Sequence, residues 1–299
     1  MSTNHKPVIL VTGASGRLGR LAVSHLLASD SGHVIAGSRD PEALADLVEL
    51  GAETRYVNFD DAASLSVAFS GVDRLLLVST NTIETPGLRL VQHRNAVKAA
   101  QIAGIKHIAY TSIMNPGHES PIVFAEDHRE TENAIAATGL KFTFLRNSFY
   151  QENLLADAAS IRSGELHTVS GEGRASYVAI ADCARSAAAA ISKGICGCYD
   201  ITGSSSLTTR DLLQKAGHVL GKYIELIHLD ENEMEKRLSK YGLSDRLVKI
   251  IISHEVAVRM NLYAQTTDSV RFLTGREPEP IETFLRNEEV IKEFSAPAI

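Results

Sequence analysis

A chain of 299 residues with 44% hydrophobic and 22% charged side chains can bury a full core as one α/β domain with an appended lobe, and is too apolar and evenly mixed for a disordered, collagen-like or coiled-coil protein. Thirty basic against 36 acidic residues give a formal charge of -6, and Lys and Arg are scattered without any basic run, which argues against direct nucleic-acid binding. Three cysteines, at 183, 196 and 198, cannot build a disulfide framework or a zinc site, so reduced thiols in the cytoplasm are expected. No stretch approaches a signal peptide or the ~20 apolar residues of a membrane span.

In chain order, residues 1–6 are expected to fray. Val8-Ile9-Leu10-Val11 reads as a strand buried on both faces, followed by a glycine-rich turn and an amphipathic helix over 18–28. A second strand is predicted over 33–36, and Asp40-Pro41 looks like a cap and first helical residue opening a helix to 50. Strands over 54–58, 74–78, 105–110 and 142–145 alternate with helices over 62–69, 89–103 and 125–138. Such βα alternation predicts a Rossmann-type doubly wound parallel sheet. Beyond 146 the pattern changes: a helix over 153–161, a glycine-rich hairpin-like segment over 164–173, an alanine-rich helix over 180–191 and a strand over 199–202 that can join the main sheet. From 207 helices dominate, starting at the capping-box-like Thr208-Thr209-Arg210-Asp211 and interrupted by a strand over 224–229. The expected organisation is a nucleotide-binding domain over 1–150, with 176–203 returning to it, and a smaller, mainly helical C-terminal lobe made of 151–175 and 204–299.

Gly13, Gly16 and Gly19 lie between the first strand and the first helix, the place where a dinucleotide pyrophosphate meets helix-terminal N–H groups. One glycine allows a tight turn, one lets the backbone approach phosphate, and the last lets helix and strand pack closely. Ser15, Arg17 and Leu18 within this loop are counted as cofactor contacts. The second strand ends in Gly37-Ser38-Arg39, lacking the acid that holds an unphosphorylated ribose there, so Arg39, helped by Arg17, points to the 2′-phosphate of NADP(H). In open α/β sheets ligands bind beyond the carboxyl ends of the strands. That rule selects Asp60, Ser79, Thr80, Thr111, Ser112 and Asn147.

With those segments in place the chain resembles the NmrA-like group of atypical short-chain dehydrogenase/reductases, nearest the type 2 NAD(P)H:quinone oxidoreductases and triphenylmethane reductases. The likeness is carried by residues 11–19, Leu75-Leu76-Leu77-Val78-Ser79, Gln92-His93-Arg94-Asn95, His107-Ile108-Ala109-Tyr110-Thr111-Ser112, residues 126–132 and Thr143-Phe144-Leu145-Arg146-Asn147. It implies an NADPH site with a quinone or other aromatic acceptor over the nicotinamide. Asn147, Phe149 and Tyr150 would line the pocket. Typical short-chain dehydrogenases carry Tyr-x-x-x-Lys after the fifth strand; the matching segment here is Phe124-Ala125-Glu126-Asp127-His128, and phenylalanine donates no proton.

Asn147 is counted with His128 and Tyr110 as a catalytic candidate. His128 can bind ribose or shuttle a proton, or be a helix-surface or supporting histidine without chemistry. Tyr110 is a candidate replacement acid, though its strand position favours packing. Phe149 and Tyr150 can stack on a flat substrate or simply fill the core. Eleven histidines give no metal-ligand spacing, so no metal is expected. Three functions remain: an NADPH-dependent reductase of quinones or similar flat acceptors, an NADP(H)-binding redox-sensing regulator acting through a protein partner, and a reductase or epimerase of a sugar or phenolic. A monomer or homodimer is expected.

Overall fold

The computed structural model describes residues 6–296. Of the segment expected to fray, 1–5 lie outside the described residues, while Lys6 forms an ion pair with Asp30. The first part of the chain runs β1 (Val8–Val11), α1 (Arg17–Ala28), β2 (His33–Ser38), α2 (Ala45–Glu49), β3 (Glu53–Tyr56), α3 (Ala62–Ala68), β4 (Arg74–Leu77), α4 (Leu88–Ile102), β5 (His107–Ile113), α5 (Ala125–Ala137) and β6 (Lys141–Asn147). There follow α6 (Ala158–Ser163), β7 (Glu165–Thr168), β8 (Arg174–Ala175), α7 (Ile180–Lys193), β9 (Gly197–Ile201), β10 (Leu207–Thr208), α8 (Thr209–Leu220), β11 (Glu225–His228), α9 (Glu231–Ser239), α10 (Asp245–Arg259), α11 (Ser269–Thr274), α12 (Ile281–Leu285) and α13 (Glu288–Ser295).

Seven strands form one parallel sheet in the order β3-β2-β1-β4-β5-β6-β9. The uninterrupted apolar runs follow from cover on both faces. In β1, Ile9 and Val11 enter the core shared with α1, α7 and α11, whereas Leu10 enters the opposite core shared with α3, α4 and α5, as period-two alternation requires. The alanines of α7 let it lie close to α1. Because the order reverses at β1, which pairs with β2 on one side and β4 on the other, a crevice opens at the carboxyl ends of those strands.

The predicted Rossmann-type sheet and its helical C-terminal region are present, and β9 supplies the seventh strand. The capping box at Thr208 is complete: its Oγ1 accepts from the Asp211 N–H, and Asp211 accepts from the Thr208 N–H, both at 3.0 Å. The hairpin expected over 164–173 is absent. Instead β7 pairs in parallel with β11, and β8 pairs with β10. The glycines that suggested a turn have other tasks: Gly164 is the left-handed cap of α6, and Gly173 lies so close to α10 that a Cβ there would sit 2.2 Å from the Val258 carbonyl oxygen. Two predicted helices are also broken up. Residues 42–44 and 151–157 are 3-10 turns leading into the short α2 and α6. Thr111, Ser112 and Asn147, expected just past their strands, are instead within the final residues of β5 and β6.

Candidate active site

A cleft of about 1270 Å³ follows the carboxyl ends of the main sheet and is closed opposite by β7, α9 and α10. Helix α10 is tied across it, with Ser244 Oγ donating to Glu84 Oε2 at 2.8 Å and the Arg246 guanidinium donating to the Ile83 carbonyl. Every residue singled out from the sequence for cofactor, acceptor or chemistry lines this cleft, except Tyr110.

At one end lies the glycine loop. Gly13 has φ +63°, a left-handed conformation costly for other residues. A Cβ on Gly19 would come within 2.3 Å of the Gly13 carbonyl oxygen, so this position admits no side chain. Gly16 precedes α1, whose first turn carries no acidic residue and no side-chain cap, leaving its N–H groups open to an anion. Nearby cations divide into used and unused. Arg20 pairs with Asp46, and Arg55 with Glu53. Arg17 and Arg39 are exposed beside the loop and form no ion pair among the described residues. Ser38 Oγ donates to Ser15 Oγ at 3.2 Å and accepts from the Asp40 N–H at 3.0 Å. Asp40 caps the next turn by accepting from the Ala43 N–H at 3.3 Å. Asp60 accepts twice from Gln92 Nε2, at 3.1 and 3.0 Å.

Toward the middle, five polar atoms are buried without a hydrogen-bond partner: Thr80 Oγ1, Arg89 Nε, Gln92 Oε1, Ser112 Oγ and Asn147 Oδ1. All five belong to residues lining the cleft. Unpaired buried polar atoms are costly unless something satisfies them, and a ligand bearing both hydrogen-bond donors and acceptors would supply the partners they lack. Asn147 is fixed for this by its Nδ2, which donates to Tyr150 Oη at 2.9 Å.

Behind the wall the hydrogen bonds fix their own direction. The Thr80 N–H donates to His93 Nε2 at 3.1 Å, so His93 carries its proton on Nδ1 and donates to Thr131 Oγ1 at 3.0 Å. Burial, with Arg89 nearby, pushes His93 down to about 3, keeping it neutral. Arg89 Nη2 donates to His128 Nε2 at 3.0 Å, and His128 Nδ1 donates to Tyr110 Oη at 2.9 Å. Burial and the Arg89 charge hold His128 far below its ordinary range. Two expectations are thereby corrected. His128 is no surface histidine, being 1% exposed, and its one acceptor nitrogen is occupied by a guanidinium that never releases a proton. It therefore cannot shuttle one at neutral pH. Tyr110 is wholly buried, and burial raises its hydroxyl above the usual phenol range, so it reaches no substrate and gives up no proton.

The far end is aromatic and acidic. Phe124, Phe149, His254 and Tyr263 pack ring to ring, with centroids 5.2 Å apart for Phe124 and His254 and 5.7 Å for Phe149 and His254. Two carboxyls line the floor. Asp157 is pushed up to about 7 by burial and by the Glu255 charge. Glu255 accepts from Thr168 Oγ1 at 2.9 Å and the Val169 N–H at 2.5 Å. Sequence reasoning missed Arg89, Asp157, His254, Glu255 and Tyr263. Only Arg89 stood near a signal, three residues ahead of Gln92-His93-Arg94-Asn95.

Residues 13–193 match the family described as NAD(P)H-binding. The chain belongs to that family. It is 34% identical over 253 residues to quinone oxidoreductase 2 of Escherichia coli, spanning 83% of this chain and 87% of that one. The structure of the NADPH-dependent quinone oxidoreductase from Escherichia coli in complex with NADPH superposes with a TM-score of 0.87 at 31% identity, covering 93% of this chain and 98% of that one. The Citrobacter sp. triphenylmethane reductase complexed with NADP(H) gives a TM-score of 0.86 at 32% identity, over 96% of this chain and 99% of that one. The NmrA-like resemblance read from the sequence is thus borne out, and the protein is an NAD(P)H-dependent oxidoreductase. Among the described residues no helix is long and apolar enough to cross a membrane, and no group of His, Cys, Asp and Glu is placed to hold a metal.

Proposed function

We propose that this member of the family is an NADPH-dependent reductase that passes a hydride to a quinone or similar flat conjugated acceptor, without a tyrosine–lysine pair. The observation that carries the reading is Phe124 in the cleft wall where such a tyrosine would stand, with His128 four residues on already committed to Arg89 and Tyr110. Neither position 124 nor 128 offers a side chain free to protonate a ketone oxygen, whereas an electron-poor quinone needs a hydride donor at short range and takes its proton from water. The names of the similar proteins, a quinone oxidoreductase and a triphenylmethane reductase, support flat conjugated acceptors.

NADPH, when bound, supplies the hydride from its nicotinamide ring. The residues present fit it: Gly13, Ser15, Gly16 and the start of α1 would hold the pyrophosphate, and Arg17 and Arg39 the 2′-phosphate. Asp60 would meet the adenosine; Ser79, Thr80, Thr111 and Asn147 would meet the ribose and carboxamide, Thr80 and Asn147 through atoms that otherwise lack partners. Phe124, Phe149 and Tyr263 would stack on the acceptor and exclude water. In this reading residues 1–150 and 176–203 carry the cofactor, and 151–175 with 204–299 close over the acceptor.

The test is oxidation of NADPH by the purified protein on addition of a quinone. Turnover with NADPH preferred to NADH is expected, and inactivity across a panel of quinones and dyes would overturn the reading. Tight NADP(H) binding without turnover would favour the regulator instead.

A further inference from the structure

Arg89 occupies a place where a cation is costly. It is the second residue of α4, where the helix N–H groups already create positive potential, and it is 5% exposed. Among the described residues no carboxylate lies within ion-pair distance of it. The acids of α5 serve elsewhere: Glu126 and Glu130 pair with Arg129, Glu130 also with Arg94, and Glu132 with Arg146. Asp127 acts on Arg89 only through space. The guanidinium gives one hydrogen bond to His128, lies 4.9 Å from the Phe124 ring centre, and leaves Nε without a partner while lining the cleft. An unpaired buried charge is among the least favourable arrangements a fold can hold. A guanidinium cannot escape it by losing its proton. The remaining relief is an anion arriving from the cleft.

We infer that Arg89 forms an oxyanion subsite in the acceptor half of the cleft, taking planar conjugated ligands whose oxygen is anionic or becomes so on reduction: phenolates, enolates and hydroquinone monoanions. The inference rests on the reductase reading and names the protein group that meets the acceptor oxygen. A quinone that receives a hydride gains two electrons and one proton as NADPH is oxidised to NADP⁺, and becomes a hydroquinone monoanion. Arg89 holds that negative oxygen by a charge-assisted hydrogen bond. A proton from water then completes the hydroquinone. His128 and, behind it, Tyr110 position the guanidinium and take no part in proton transfer.

A redox-inert probe tests this without turnover. 4-Nitrophenol, whose anion is read by its colour, is titrated into protein saturated with NADP⁺ at pH values spanning its ionisation. The phenolate should bind at least tenfold more tightly than the phenol, and Arg89→Gln should abolish roughly tenfold or more of that preference. Arg89→Lys should retain most of it. Affinity for 2′,5′-ADP, which occupies only the adenosine end, should be unchanged in Arg89→Gln and certifies its fold. No anion preference in the native protein, or its persistence in a folded Arg89→Gln, would overturn the inference. So would an Arg89→Gln that loses NADP⁺ but not 2′,5′-ADP, since the cation would then serve the cofactor. If Arg89→Gln fails to bind 2′,5′-ADP, Arg89→Lys decides: retained preference supports the subsite and lost preference overturns it. Anion preference without quinone turnover counts against the reductase reading alone, and turnover without anion preference against the subsite alone.

Discussion

Two parts of the cleft hold arginines under opposite conditions. Arg17 and Arg39 stand in solvent beside the glycine loop, whereas Arg89 is enclosed by α4, α5 and aromatic rings. An exposed cation costs little to keep and attracts a phosphate through a screened field. An enclosed one acts across a low dielectric and must be matched by its ligand. On the proposed reading the same side chain would supply cofactor choice in one place and acceptor chemistry in the other. The hydrogen bonds reflect this: beside the glycine loop the Ser38 and Ser15 hydroxyls bond to each other, and deeper in runs a locked chain of two histidines, a tyrosine and a threonine.

The comparison breaks most completely if the loop itself is altered. Gly19→Val places carbon against the Gly13 carbonyl oxygen, where a Cβ would lie at 2.3 Å, and should cost about 3 kcal/mol or more of stability and abolish binding of both nicotinamide nucleotides. Gly16→Ala, whose Cβ meets the same oxygen at 3.4 Å, should keep its melting temperature within a few degrees and lose nucleotide affinity alone. Calorimetry of folding and binding checks both.

The enclosed end should announce itself by acid lability. His93 is neutral when folded, with its pKa near 3 against the ordinary 6.5, so between those values the unfolded chain binds the proton and the folded one does not. Its contribution is complete above pH 6.5 and falls away with decreasing pH at about 1.4 kcal/mol per unit. Denaturant melts from pH 7 to 4 should show this decline, and His93→Gln should make it shallower by about 1.4 kcal/mol per unit, the remaining slope coming from the other buried histidines such as His128.

Smaller effects sharpen the contrast. Arg39→Ala should weaken NADPH roughly tenfold and leave NADH unchanged, with the difference shrinking as salt is added; fluorescence titration at two ionic strengths measures it. Smallest of all, Tyr110→Phe removes the acceptor of the His128 N–H and should cost about 1 kcal/mol of stability while quinone turnover stays within about threefold. A collapse of turnover would return Tyr110 to the chemistry.

The adenosine end was legible in the sequence because its parts are local. A buried strand, three glycines and a helix fall within 21 residues, residues 8–28, and Arg39 directly follows the very next strand. Arg89 was not legible: on a helix a lone arginine reads as a solvated charge, and only the packing of Phe124 and His128 over it decides otherwise. His254, Glu255 and Tyr263 meet groups more than 80 residues away in sequence, beyond the reach of periodicity. The glycines at 164 and 173 misled because a helix cap and a close helix contact use the same residue as a hairpin turn.

The parallel pairing of β7 with β11 has a consequence for how this architecture can be cut. Between those two partners the chain returns to the large sheet to lay down α7 and β9 before coming back. A single nick in that return segment leaves both fragments contributing to both bodies, so they should stay associated rather than separate. Grafting a different acceptor pocket onto this scaffold therefore demands the exchange of two coordinated stretches, never one.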